Sequence, residues 1–493
     1  MDILIVTGRK ASSIVRKTIE GFRDLNGDLN VEIAVLDIDI AAFTTPKLLR
    51  DVLLKLKRKF DLILVSGLCG ADFSKLEKEF NVKIRLGPKH ASDLGLILKY
   101  VDKMEFSSKI PACVLLTELI HKDALGKIQA IEGNADYEFL IKKLKIGGGS
   151  RMKVLAEIVD ATRLGREALL RRANYYAREG ADIIDLGVHL EAEVVDVQRV
   201  IEILRPLGLP LSIDSLDGEM LKAAAEAGAD LILSLNSANL EIAGEAVANS
   251  DAAAVVIPDG EDLSSLLRNI ERAKAIGIKK VIADPILNPI AQGFIDSLMR
   301  YYKFRELDRR TPLLFGVGNV VELIDADSIG VHAILAGVAM ELNANILFTP
   351  EYSQKTRGSV RELKIASEMM LLARARETVP KDLGIDLLSI KEKRARPSLL
   401  EFKNIEVINA ESAKSWKLDP KGYFKIGVVD EEYILALHEN LGIRGKTAKE
   451  ILDTILKREL ISSLEHAAYL GRELMKAELA LKFKRSYVQD DEF

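Results

Sequence analysis

At 493 residues the chain is too long for one hydrophobic core and predicts two to four domains. Hydrophobic residues make up 48% and charged residues 29%, the balance of a soluble globular protein, and a formal net charge of -4 leaves no overall positive field for a nucleic-acid backbone. Apolar runs such as 62–65 and 252–257 are strand-sized, and none nears the roughly 20 residues of a membrane span. Two cysteines, Cys69 and Cys113, cannot build a disulfide framework, so a cytoplasmic protein away from membranes is expected.

The N-terminus Met1-Asp2-Ile3-Leu4-Ile5-Val6 lacks a basic region and reads as a first strand. Strands are predicted at 3–7, 31–36, 62–66 and 82–86, with helical patterns at 11–25 and 46–59. Pro46 opens the second of these, where its fixed φ suits a first helical position. This rhythm predicts a parallel α/β domain over 1–146. Gly8, Gly67 and Gly70 follow strands, where such sheets bind ligands, but no G-x-G-x-x-G is present and tight turns are the plainer explanation. Gly147-Gly148-Gly149-Ser150 reads as a linker. Beyond it, strands are predicted at 153–158, 182–187, 210–214, 230–235, 252–257, 280–284, 312–316 and 345–348. Helical patterns such as 165–179, 192–204 and 218–227 separate them. Eight such units predict a closed (β/α)8 TIM barrel over 152–390. From about Pro397 the pattern changes to polar turns and short strands around 419–426, then helices near 447–458 and 462–483. This predicts a small α+β module over 397–493, anchored by Trp416 and ending in an acidic, frayed tail.

In a barrel, chemistry collects at the C-terminal strand ends. Those ends carry Glu157 and Asp160, Asp185 and Gly187, Asp214 and Ser215, Ser234 and Asn236, Asp284, Gly316 and Asn319, and then Glu351, Lys355 and Arg357. Carboxylates accept from N–H groups and amides both donate and accept, so a ring of Asp and Asn suits a flat heterocycle rich in N–H donors, such as a pterin. Each residue alone also reads as a helix cap.

Several of these segments resemble dihydropteroate synthase. Gly180-Ala181-Asp182-Ile183-Ile184-Asp185-Leu186-Gly187 is similar to its second-strand motif, and Pro210-Leu211-Ser212-Ile213-Asp214-Ser215 to its third. Asn236 falls where that family carries an Asn after strand 4, and Ile282-Ala283-Asp284-Pro285 resembles its sixth-strand Asp-Pro. Asp160 falls near the family's first-strand Asn, which implies Mg²⁺ and diphosphate beside it. Strand 7 departs: in place of Ser-Arg-Lys it has Gly316-Val317-Gly318-Asn319, which resembles pterin-dependent methyltransferases. The Arg-x-His of strand 8 is also missing, with Lys355 and Arg357 as candidate replacements. The whole chain resembles the archaeal dihydropteroate synthase-like proteins, which join a flavodoxin-like α/β domain to a pterin-binding barrel. Ser66-Gly67-Leu68-Cys69-Gly70-Ala71-Asp72 and Leu86-Gly87-Pro88-Lys89-His90-Ala91 look like that first domain, and the segment 466–474 looks like their C-terminal module.

The resemblance implies a transferase with Asp214, Asn236, Asp284 and Asn319 at its centre. Glu157, Asp160, Asp185, Gly316, Lys355 and Arg357 would bind the pterin and its diphosphate, with Asp160 on Mg²⁺. One reading is condensation of a pterin diphosphate with an arylamine, such as a ribofuranosyl-aminobenzene phosphate, in a tetrahydromethanopterin or folate pathway. A second is methyl transfer with a corrinoid protein, resting on Asn319. A third is a non-catalytic pterin-binding subunit. A homodimer is expected of such barrels. Cys69, in a Gly-flanked loop, is a candidate exposed thiol, and His90 beside Lys89 a candidate anion ligand. His121, His189 and His332 lack metal-ligand spacing, and His466 with Glu473 suggests packing or an interface.

Overall fold

The computed structural model describes residues 1–23, 29–56, 58–391, 406, 408–411 and 418–491. Trp416 lies outside them. The chain divides into two compact units, Met1–Gln129 with Asp382–Ile408, and Ala130–Lys381 with Asn409–Phe493.

In the first unit, strands Asp2–Thr7, Asn30–Val35, Leu62–Val65 and Lys83–Leu86 form a parallel sheet in the order second, first, third, fourth. Side chains alternate along a strand, so the first strand feeds two cores. Ile3 and Ile5 pack with Val15, Ile19 and Ile97 on one face, while Leu4 and Val6 pack with Leu49, Leu53 and Leu76 on the other. Burial on both faces is why the first and third strands, at the centre of the sheet, read as continuous apolar runs. Cys69 is not exposed as expected: it is 6% accessible, and its thiol lies 3.3 Å from the Thr44 carbonyl. The segment after the barrel also belongs to this unit. Leu383 and Ile385 are buried, and a Cβ on Gly384 would fall 2.8 Å from the Ile120 carbonyl. The second unit therefore breaks off at Lys381 and resumes at Asn409.

In the second unit, eight parallel strands close a barrel: Lys153–Ile158, Ile183–Gly187, Leu211–Asp214, Leu231–Leu235, Ala253–Val256, Val281–Ala283, Leu314–Gly316 and Ile346–Pro350. The first pairs with both the second and the eighth, and a bridge between Ala283 and Leu313 joins the sixth to the seventh. Leu155, Ile183, Leu233, Val255, Ile282, Leu314 and Ile346 fill the interior. A hairpin, Phe139–Ile141 with Leu144–Ile146, inserts Ile141 and Ile146 into the same core. Lys142 of its turn reaches the Leu209 carbonyl and Asp230, both ahead of their strands, so the hairpin plugs the N-terminal end. The glycine run is thus part of a folded plug: Gly147 and Gly148 take φ of 90 and 58, a conformation natural to glycine, and the Gly149 N–H donates to Asp136 at 2.7 Å. Arg151 and Asp182 form a buried ion pair of 2.6 Å beside the first strand.

The C-terminal module is a three-stranded antiparallel sheet, Lys425–Val429, Tyr433–His438 and Leu441–Gly445, covered by helices Ala448–Lys457 and Leu464–Lys482. A capping box starts the first helix: Thr447 Oγ1 accepts from the Glu450 N–H, and Glu450 Oε2 accepts from the Thr447 N–H at 3.1 Å. Thr447→Ala is expected to destabilise this helix by about 1 kcal/mol. Hydrogen exchange should read this as roughly fivefold faster exchange at the Ile451 and Ile455 amides, and unchanged exchange would contradict it. Among the described residues no helix is long and apolar enough to cross a membrane.

Candidate active site

The C-terminal strand ends form one rim. Register sets Glu157 beside Asp185 and Gly187 beside Asp214, with Pro350 on the other side of Glu157. Asp185 is fully buried. Its Oδ1 accepts from Ser212 Oγ at 2.5 Å, and its Oδ2 has no partner among the described residues. Burial, then the charges of Asp214 and Glu157, hold its pKa well above the usual carboxylate range. Burial also pushes Glu157 up to about 7, with further push from Asp214, Asp160 and Glu322. Asp214 is raised by burial, opposed by Ser234 Oγ donating at 2.6 Å. Burial raises Asp284 to about 6, opposed by Tyr301 Oη donating at 2.6 Å and the Ile286 N–H at 2.8 Å.

Asp214 acts on Glu157, Asp185 and Asp284 alike, so carboxyls from four strands share one electrostatic environment. The backbone makes room for them. A Cβ on Gly187 would sit 2.7 Å from Glu157 Oε1, so a larger residue there would push that carboxyl out of its present position. Asp160 heads the turn Ala161–Arg163 with φ 51, and its charge reaches Glu157. Among the described residues no three His, Cys, Asp or Glu side chains are grouped to hold a metal ion by themselves, so a Mg²⁺ at Asp160 would take its remaining ligands from a bound diphosphate and water.

Asn236 has its amide oxygen committed to the backbone. Its Oδ1 accepts from the Ala238 and Asn239 N–H groups at 3.0 and 3.2 Å, the turn that starts helix Leu240–Asn249. Asn319 Nδ2 donates to the Leu287 carbonyl at 2.9 Å, in the loop that follows Asp284. Gly316 lets it fold back there, since a Cβ would lie 3.2 Å from that Nδ2. Lys355 is engaged by the Ile324 carbonyl at 2.6 Å and Asp325 at 3.1 Å, and Arg357 pairs with Glu431 of the C-terminal module at 2.7 Å. Neither is a free cation. Arg357 does border a cavity of about 930 Å³ that also touches Glu157, Asp160, Tyr175 and Lys484.

Sequence reasoning missed the residues that hold the carboxyls. Tyr301 lies inside helix Phe294–Leu307 with nothing in its spacing to distinguish it from core. Arg300, on the same helix, fixes the loop after Asp284 through the Ile286 carbonyl and Asn288 Oδ1, both at 2.9 Å. Glu322 ties down the loop after the eighth strand through the Tyr352 and Ser353 N–H groups and Thr356 Oγ1. Ser234 stands at a strand end with φ 62 and was legible as a polar end, but not as the donor to Asp214. His466 lies 3.2 Å from Asp419 inside the C-terminal module, remote in sequence from the rim.

The family model described as pterin binding enzyme matches residues 159–264, from the first loop to the fifth strand. A second, PterinBD-DUF4346, matches 418–490, and a family of unknown function, DUF6513, matches 1–89. Dihydropteroate synthase from Yersinia pestis, solved with a pterine-sulfa conjugate, aligns with 48% of this chain and 98% of its own at 23% identity and a TM-score of 0.39. The enzyme from Vibrio fischeri aligns with 49% of this chain and 100% of its own at 18% identity and the same TM-score of 0.39. The uncharacterized protein ycf91 of Porphyra purpurea is 35% identical over 102 residues, covering 18% of this chain and 84% of its own. The uncharacterized protein MJ0107 of Methanocaldococcus jannaschii is 38% identical over 527 residues, covering 99% of this chain and 98% of its own. The chain belongs to the same family as that Methanocaldococcus protein, and its segment 159–264 matches the pterin binding enzyme model.

Proposed function

We propose that the protein is a pterin-dependent transferase whose ring site is the carboxyl-lined barrel mouth. The observation that carries this reading is the convergence of Glu157, Asp185, Asp214 and Asp284 at the C-terminal strand ends, where register sets Glu157 beside Asp185 and Gly187 beside Asp214 and the Asp214 charge acts on the other three. The amino-pyrimidinone edge of a pterin offers N–H donors to carboxylates and an oxygen and ring nitrogens to carboxylic acids. The raised pKa values supply both partners. Asp284, near 6, is ionised at neutral pH and accepts, while Glu157, near 7, carries its proton about half the time and donates.

Two transfers follow from such a site. In condensation, an arylamine nitrogen would attack the pterin 6-methylene carbon and diphosphate would leave with the bonding pair. In methyl transfer, a methyl group would pass from N5 of a reduced pterin to a corrinoid protein, and N5 would take up a proton. Two observations favour the second. Lys355 and Arg357 are committed to other partners rather than free for diphosphate, and Glu157 holds a proton that can be delivered at neutral pH.

The test uses the full chain in two arms. One combines a pterin diphosphate with p-aminobenzoate or its ribofuranosyl phosphate analogue; the other combines a methyl-tetrahydropterin with cob(I)alamin as a stand-in acceptor. Pterin binding at roughly micromolar affinity with methyl turnover is the expected result. A condensation product would reverse the choice between the two transfers. Binding with neither turnover would leave a non-catalytic pterin carrier, and no pterin binding overturns the proposal.

A further inference from the structure

The first unit holds a crevice that the barrel chemistry does not use. Its sheet runs second, first, third, fourth, so the connections leave the first strand in one direction and return past it in the other. Strand order thus reverses between the first and third strands, and in open parallel sheets the ligand crevice lies beyond the C-terminal ends at such a reversal. A cavity of about 350 Å³ sits there, bordered by Thr7, Ser66 and Gly87 at the strand ends. That volume falls in the range of small-molecule sites.

Beside the lining residues Thr7 and Ser66 the backbone segments are brought close together. A Cβ on Gly8 would lie 2.7 Å from the Asp39 carbonyl, and one on Gly67 would lie 2.6 Å from the Gly87 carbonyl. Charge and hydrophobicity divide around its rim. Lys10, Lys89 and His90 line it and are exposed, and among the described residues none of them has an ion-pair partner. Asp39, the carboxylate on the same rim, is engaged by Arg9 at 3.1 Å. Ile40 and Leu68 also line the cavity, yet are 49% and 59% accessible. Bare aliphatic side chains and two uncompensated lysines beside an imidazole around one void suit a ligand that is flat and apolar at one end and anionic at the other.

We propose that this crevice binds a phosphorylated flat heterocycle of mononucleotide size, with its ring against Ile40 and Leu68 and its phosphate against Lys10, Lys89 and His90. The site does not depend on the pterin reading of the barrel. Isothermal titration of the full chain with FMN, AMP and inorganic phosphate tests it. One equivalent of a mononucleotide should bind more tightly than phosphate alone. Lys10→Glu and Lys89→Glu, both exposed and so compatible with folding, should each weaken binding about tenfold, the factor that a lost charge contact of ~1.4 kcal/mol gives. Leu68→Ser should weaken the mononucleotides and leave phosphate unchanged. Glu157→Gln at the barrel mouth and excess pterin should have no effect. Four results would overturn the proposal: no binding of either mononucleotide at about millimolar concentration, indifference to both charge reversals, equal affinity for phosphate alone, or displacement by pterin.

Discussion

Asp284→Asn is expected to weaken pterin binding about a hundredfold while leaving the fold intact. Burial has raised Asp284 only to about 6, so at pH 7 the wild-type side chain is mostly ionised and accepts strongly. Tyr301 and the Ile286 N–H occupy one of its oxygens, Oδ1, which leaves the second for the ring. Asparagine keeps the size and one acceptor, so Tyr301 and the loop after the sixth strand retain an oxygen to bond to. What changes is the outward atom, which loses its charge and presents N–H groups to the N–H groups of the pterin edge. Losing a buried charge-assisted hydrogen bond and facing donor with donor costs about 2.5–3 kcal/mol, or about a hundredfold in affinity. Fluorescence titration with a reduced pterin, alongside circular dichroism to check the fold, measures it. An affinity within about threefold of wild type would remove Asp284 from the ring site.

The same residue shows what could be read from the chain and what could not. Asp284 was legible because the strand ahead of it, Val281–Ala283, is fully buried, and a carboxyl at the end of such a run stands out. The eight barrel strands were legible for the same reason, since parallel strands covered on both faces must be apolar throughout. The partners of these carboxyls were not legible. Tyr301 comes 17 residues after Asp284 and Ser234 comes 20 after Asp214, and only the closed barrel brings each pair together. Asn236 shows the opposite ambiguity. An amide after a strand suits a ligand and a turn equally, and here the backbone N–H groups of Ala238 and Asn239 took its oxygen. Lys355 and Arg357 were read from charge alone, but charge does not disclose that Asp325 and Glu431 pair with them. The hairpin Phe139–Ile141 with Leu144–Ile146 escaped notice because three-residue strands beside a glycine run carry the same pattern as a linker.

Glu157→Gln should make the protein more stable above neutral pH and less active. Glu157 titrates near 7 in the folded chain, against 4.5 for an ordinary glutamate. Between those values the folded state binds the proton and the unfolded state does not, so stability is greatest below about 4.5 and falls as pH rises through 7. The full shift corresponds to at most about 3 kcal/mol, and sharing of charge with Asp185 and Asp214 reduces it to about 2 kcal/mol. Glutamine stays neutral at every pH and avoids that cost. The variant should therefore match wild type at pH 4.5 and exceed it by about 2 kcal/mol at pH 8, as read from thermal unfolding at the two pH values. Lower stability than wild type at pH 8 would mean that a cation, not neighbouring carboxyls, faces Glu157. The same substitution removes the proton that the proposed transfer needs, so turnover should fall while stability rises. That opposition is expected of a site made of mutually repelling acids: crowding Glu157, Asp185, Asp214 and Asp284 raises their pKa values in the free protein, and under the proposed function a ring bearing N–H donors would offset the repulsion that proton uptake leaves.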